Sequence, residues 1–185
     1  MPERLPNLPK TRRVFFALWP DDETRELIWR NMRSLNISQG REVRKTNLHQ
    51  TLHFIGAVDE LMLHCLLEAA SQVKTPCFDL TLDSYGYFPR SRVLWLGCSE
   101  RVEGLDMLYR QLERRLLECG YRAETRPFSP HITLLRKARF SECLPKPDPV
   151  VWRVKDFVLA ESLDDSAGVY YKIFDRWPLA SAKAF

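Results

Sequence analysis

Leu48-His49-Gln50-Thr51-Leu52-His53-Phe54 and, about 80 residues further on, Pro130-His131-Ile132-Thr133-Leu134-Leu135-Arg136 both read His-x-Thr-Leu. Each copy is short, apolar and rich in β-branched or aromatic residues, which marks it as a strand. In a strand, side chains at i and i+2 stand on one face, roughly 6.5–7 Å apart. His49 and Thr51 therefore face one way while Gln50 and Leu52 face the other, and His131 and Thr133 repeat the arrangement. The chain holds only four histidines, and two of them occupy equivalent slots.

Working outward, the run Val14 to Trp19, closed by Pro20, reads as a buried strand. Pro20-Asp21-Asp22 then opens a helix with Leu27, Ile28, Met32 and Leu35 on one side. The strand from His49 to Ile55 is closed by Gly56, and Asp59 can cap a second helix carrying Leu63, Leu66, Leu67 and Ala70. Phe78, Leu80 and Leu82 alternate with polar residues, which predicts a strand with one buried face. Its expected partner is Arg92 to Cys98, in a hairpin turning through Tyr85-Gly86-Tyr87-Phe88-Pro89. Val102, Leu105, Leu108, Leu112, Leu116 and Cys119 recur at helical spacing, and Gly120 sits where a left-handed residue would end that helix. The Pro-rich stretch Pro145 to Pro149 is loop, and two last strands are expected at Val154 to Ala160 and Val169 to Phe174. Strands and helices mix without strict βαβ alternation, so the fold class is α+β with a largely antiparallel sheet.

The duplicated motif suits a tetrahedral phosphate. Each imidazole can reach a bridging or attacking oxygen while each Thr hydroxyl donates to a non-bridging one. Two imidazoles can also divide acid and base work in phosphodiester chemistry without a metal. One copy alone would ordinarily be a satisfied core histidine; the duplication in basic surroundings points to a site. A metal centre is the competitor, but His49 and His53 lie about 13 Å apart on a strand and cannot share an ion. His53 is therefore a rim or packing residue, and His64, inside a helical pattern, is helix surface or core. No cysteine stands beside either motif histidine, which disfavours a thiol nucleophile.

Composition bounds the remainder. The 185 residues are 45% hydrophobic and 28% charged, with a net charge of +4. That is enough for one core, and too little charge for a protein that coats nucleic acid indiscriminately. The charge is unevenly placed: residues 41–56 and 121–140 carry +6 between them, leaving the rest at −2. Both basic stretches bracket the motifs, as an anion site requires. Five cysteines (Cys65, Cys77, Cys98, Cys119, Cys143) fit no metal-finger spacing, and four lie in apolar runs or helical stripes. No disulfide framework is expected, and a reducing, cytoplasmic setting is. The basic leader is followed by too short an apolar run for a secretion signal or a membrane span, so no membrane association is expected.

The segments 47–56 and 126–136 closely resemble the twin motifs of the two-histidine (2H) phosphoesterase superfamily, and within it the bacterial RNA 2′,3′-cyclic phosphodiesterases, once called 2′-5′ RNA ligases. The resemblance extends to Arg13-Val14-Phe15-Phe16-Ala17-Leu18, Arg92-Val93-Leu94-Trp95-Leu96-Gly97 and Arg176-Trp177-Pro178-Leu179. It implies a bilobal α+β 2H phosphoesterase (LigT-like) fold: one domain over residues 1–185, made of two pseudo-symmetric lobes, with two antiparallel sheets facing a central cleft and helices outside. It implies hydrolysis of an RNA terminal 2′,3′-cyclic phosphate to a 2′-phosphate, with reversible ATP-independent 2′-5′ ligation in some members.

Carried onto this chain, the resemblance makes His131 the proton acceptor and His49 the proton donor. Thr51, Thr133 and Arg136 then bind the phosphate. It implies no cofactor and no metal, and as partner an RNA or oligonucleotide ending in the cyclic phosphate; a monomer is expected. His53 and Gln50 depart from the common pattern, where Arg and Leu are frequent, and bear on substrate preference. Phe15 and the aromatic stretch Tyr85 to Phe88 are candidates for stacking the terminal base. The alternatives are a phosphodiesterase for small cyclic nucleotides and a non-catalytic module that binds RNA ends.

Overall fold

The unbroken apolar run near the start of the chain is a strand buried on both faces. In the computed structural model, which describes residues 11–35, 37, 39–139, 144–166 and 168–181, this strand is β1 (Arg12–Leu18). The leader 1–10 and Cys143 lie outside the described residues. Val14, Phe16 and Leu18 point into the main core. Phe15 and Ala17 point the other way, into a small second cluster with Trp19, Val158 and Ala160. Period-two alternation thus persists, with neither side left to solvent.

β1 pairs antiparallel with β3 (Gln50–Val58) and with β9 (Asp156–Asp165), and β9 pairs with β10 (Gly168–Pro178). β7 (Ile132–Arg136) pairs with β6 (Val93–Gly97), which pairs with β5 (Ser84–Phe88). The two halves join into the order β10-β9-β1-β3-β7-β6-β5, and a two-residue strand, β2 (Arg41–Glu42), adds to β7. The seam between the halves is a single pair, Gln50 opposite Ile132. Both His-x-Thr motifs flank that pair.

Among the described residues three α-helices cover the sheet: α1 (Asp22–Ser34), α2 (Glu60–Ser71) and α3 (Glu103–Glu118). Asp21 and Asp59 cap the first two, each accepting a bond from the backbone N–H three residues on. Such caps contribute about 1 kcal/mol each. α3 buries Leu105, Leu108, Leu112 and Leu116, the stripe read from the sequence, and Gly120 follows with φ 82°. Among the described residues no helix is long and apolar enough to cross a membrane.

Two expectations need correction. β4 (Phe78–Leu82) does not pair with β6; its partner is β8 (Val150–Val154), in a separate two-stranded sheet. The stretch expected to turn is itself a strand, β5, and its partner is β6. Its Tyr-Gly-Tyr-Phe composition suits a strand, and Gly86 leaves room for an indole: a Cβ there would lie 2.0 Å from the Trp95 ring. Second, Cys65 and Cys119 form a disulfide between α2 and the end of α3. The two helices pack side by side, so two stripes that read separately as apolar meet at these cysteines. Cys77 and Cys98 are free.

Candidate active site

The peptide backbone sets each imidazole. His49, just ahead of β3, places Nδ1 2.6 Å from the carbonyl oxygen of Asn47, and His131, just ahead of β7, places Nδ1 2.7 Å from that of Ser129. A carbonyl can only accept, so Nδ1 carries the proton in both neutral rings and Nε2 is the free lone pair. In both copies the anchor lies two residues upstream. Thr51 confirms the shared face on β3: its hydroxyl lies 3.0 Å from His49 Nε2, to which it donates.

Aromatic walls back each ring. Trp19 stacks on His49 at 5.4 Å, while Phe15 at 4.9 Å and Tyr171 at 5.1 Å close its other sides. Phe88 meets His131 edge-on at 5.0 Å, and Trp95 stands 6.1 Å away. These walls exclude water, which disfavours imidazolium. Burial pushes His49 down to about 4, against the opposing pull of the Asn47 carbonyl, with Arg136 and His131 adding to the depression. His131 is also held below the usual histidine value, first by burial and then by Arg136, with the Ser129 carbonyl opposing.

The cleft has two wings. One, about 450 Å³, is lined by His49 and Thr133 with Arg41, Arg44, Asn47 and Tyr171. The other, about 720 Å³, is lined by His131 and Thr51 with Phe54, Phe88, Tyr109 and Phe128. Arg136 lines both, at the exposed end of β7, and has no carboxylate partner among the described residues. The structure therefore brings together His49, Thr51, His131, Thr133 and Arg136, all five named from sequence.

Phe15 is a different matter. It is 3% exposed and spends its ring faces on His49 and Tyr171, so it supports the histidine and has no open face for a base. Tyr85 and Tyr87 bond Asn31 and Ala138 through their hydroxyls, and only Phe88 of that stretch reaches the cleft. His53 is buried, its Nε2 3.0 Å from the Tyr109 carbonyl and its ring stacked on Tyr109, as a packing residue should be. His64 is exposed on α2. Trp19, Trp95 and Tyr171 were not foreseen as parts of the site; their only sequence signal is aromatic residues on strands. Among the described residues no trio of His, Cys, Asp or Glu side chains converges to hold a metal ion.

A family model described as the 2′-5′ RNA ligase superfamily matches residues 20–165. The chain belongs to this superfamily. Among curated members, the RNA 2′,3′-cyclic phosphodiesterase of Escherichia coli K12 is 36% identical over 175 residues, covering 93% of this chain and 99% of that protein. The protein of the same name from Archaeoglobus fulgidus is 30% identical, covering 86% and 96%. Among solved structures of the superfamily, E. coli LigT complexed with 3′-AMP superposes with a TM-score of 0.86 at 35% identity, covering 92% of this chain and 99% of that one. The α+β 2H phosphoesterase fold expected from the motifs is the fold of the chain.

Proposed function

We propose that this chain hydrolyses the terminal 2′,3′-cyclic phosphate of RNA to a 2′-phosphate by acid–base catalysis between His131 and His49. The observation that carries the proposal is the matched anchoring of the two imidazoles. Each Nδ1 is tied to the carbonyl two residues upstream, which leaves each Nε2 for proton transfer beside a threonine and a shared arginine. The names of the curated relatives support the substrate.

Water attacks phosphorus on the side away from O3′, and His131 Nε2 takes its proton. The P–O3′ bond breaks, and O3′ receives the proton carried by His49 Nε2. The product is a 2′-phosphate beside a 3′-hydroxyl, and the two rings have exchanged protonation states, which solvent resets. In the free protein both rings favour the neutral form, so the bound phosphate anion loads the proton onto His49. Loading that proton ends the hydrogen bond from Thr51 to Nε2. The freed hydroxyl then turns to a phosphoryl oxygen, as Thr133 does from β7, while Arg136 offsets charge on the pentacoordinate centre. We read the chain as one domain of two pseudo-symmetric lobes, acting in the cytoplasm as a monomer and using neither cofactor nor metal.

The test is turnover of a nucleoside 2′,3′-cyclic phosphate in EDTA by the wild type, His49→Ala and His131→Ala. Wild-type turnover with losses of at least about 10²–10⁴-fold in each variant is expected. Wild-type inactivity in EDTA, or near-normal activity in either variant, overturns the mechanism. Comparing kcat/KM for a mononucleotide and an oligonucleotide separates an RNA enzyme from one for small cyclic nucleotides.

A further inference from the structure

We propose that Trp19 is a positioning residue for His49, its indole face favouring the protonated ring and so fitting this histidine, of the two, to carry the proton. The proposal rests on the acid role given to His49 above. It supplies what the duplicated motif lacks, a difference between the copies.

The backbone treats the two rings alike, since each Nδ1 donates to the carbonyl two residues upstream. Among the described residues neither ring has a carboxylate beside it, so no ion pair tells acid from base. The difference lies in the neighbouring rings. Trp19 lies nearly parallel to His49, with 11° between the planes and 5.4 Å between centroids. Among the described residues no ring stacks in this way on His131: Phe88 crosses it at 84°, and Trp95 is tilted by 52° at 6.1 Å.

The face of an aromatic ring is the negative part of its quadrupole, and indole is the strongest side chain for attracting a cation within about 6 Å. The other titratable and charged groups facing His49 are Tyr171 from β10, Arg136 from β7, His131, and Arg41, Glu42 and Arg44 along its wing. Glu42 pairs with Arg33, and Arg44 with Asp165. Among the described residues the charge left unpaired there, on Arg41 and Arg136, is therefore positive. It opposes a proton on His49, as burial does more strongly. The indole offsets part of this opposition without placing a negative charge where it would repel the phosphate.

The indole is held for this duty. It is 8% exposed, packs with Phe15, Ala17, Val158 and Ala160, and is met edge-on by Tyr171 at 6.5 Å. Pro20 follows it and fixes φ where the chain leaves β1. Trp19 lines neither wing, so it acts through His49 and not on the substrate. Its effect is to raise the share of molecules in which His49 Nε2 carries the proton that O3′ receives.

The test is kcat/KM at about pH 8 for a nucleoside 2′,3′-cyclic phosphate and for its analogue with sulfur in place of O3′, a leaving atom that departs without a proton. Trp19→Leu should lower turnover of the oxygen substrate about 2- to 30-fold, the range of one cation–π contact, and leave the sulfur substrate within about twofold. Trp19→Phe keeps an aromatic face and should recover part of the loss. NMR titration of the His49 ring should show Trp19→Leu taking up the proton about 0.4–1.5 pH units below the wild type. Should the leucine variant not fold, fluorinated tryptophans, which weaken the ring face at nearly constant shape, should give the wild type a graded fall on the oxygen substrate that Trp19→Phe lacks. Equal losses on both substrates, an unmoved His49 titration, a phenylalanine variant no better than leucine, or an ungraded fluorine series overturns the role. His49→Ala is the control for the reading beneath, and it too should spare the sulfur substrate. Equal loss on both substrates in that variant overturns the acid role of His49 itself, and the role of Trp19 with it.

Discussion

Arg136→Gln separates the two things Arg136 does. Its guanidinium lines both wings, so it is placed to offset charge at phosphorus, and it also depresses both histidines. Removing one preorganised donor from a developing oxyanion costs about 10²–10³-fold in kcat. Arg136 lies at an exposed strand end and two threonines remain, so the low end, about 10²-fold or 2.7 kcal/mol, is expected. Stability should barely change, by about 0.5 kcal/mol or less, because the residue is exposed and forms no ion pair among the described residues. The distinctive readout is pH. Without the cation both imidazoles gain protons more readily, so both limbs of the kcat/KM profile should move to higher pH. They should stay below 6.5, because burial is the larger cause of each depression. Steady-state hydrolysis of a nucleoside 2′,3′-cyclic phosphate from pH 4 to 9, with melting curves as the fold control, reads all three effects. Loss of activity with limbs unmoved, or moved to lower pH, would refute the electrostatic coupling.

Two further outcomes follow from the same geometry. For the wild type, activity needs a proton on His49, lost as pH rises through its value, and none on His131, gained as pH falls. Both groups are depressed below 6.5, so the kcat/KM bell should have both limbs on the acid side of that value, as apparent constants of the pair; an alkaline limb above 6.5 contradicts this. The same depression makes stability fall as pH drops from 6.5 toward 4, by at most about 3 kcal/mol for His49, which acid-range denaturant titration measures. Gly86→Ala drives a Cβ into the Trp95 ring, which is held between Phe88 and His131. A loss of about 1–3 kcal/mol in stability together with slower turnover is expected, and an unchanged melting temperature would show that Trp95 yields freely.

The histidine and threonine half of the candidate site was legible because strand geometry is local. Spacing of i and i+2 is enough to put His49 and Thr51 on one strand face and His131 and Thr133 on another, and the basic stretches around them pointed to a candidate anion site. Helices were legible for the same reason, down to Gly120 at the end of α3. Pairing was not, because alternation tells which face of a strand is buried and says nothing about its neighbour. Phe78, Leu80 and Leu82 fit β8 as well as β6, and only the closed sheet decides. The disulfide escaped for a like reason: a helical stripe shows that Cys65 and Cys119 face inward without showing that they face each other. Phe15 looked equally fit for a base or a core, and the second cluster beneath His49 settled it.

The carbonyls that hold the two Nδ1 atoms belong to the main chain, and this gives the site an uneven tolerance to change. At Ser129 the anchor survives any side chain, so a scan of that position should find it permissive even though its oxygen orients His131. At Asn47 the anchor is equally indifferent to the side chain, yet the side chain itself bonds the Val169 carbonyl and the Tyr171 amide, tying the wall of the His49 pocket to the turn that carries the carbonyl. Two positions with the same duty to their histidines would thus accept very different ranges of residues. A survey by side-chain replacement would recover one anchor and miss the other, and only replacing the carbonyl oxygen itself, as in a backbone thioamide, would reveal both.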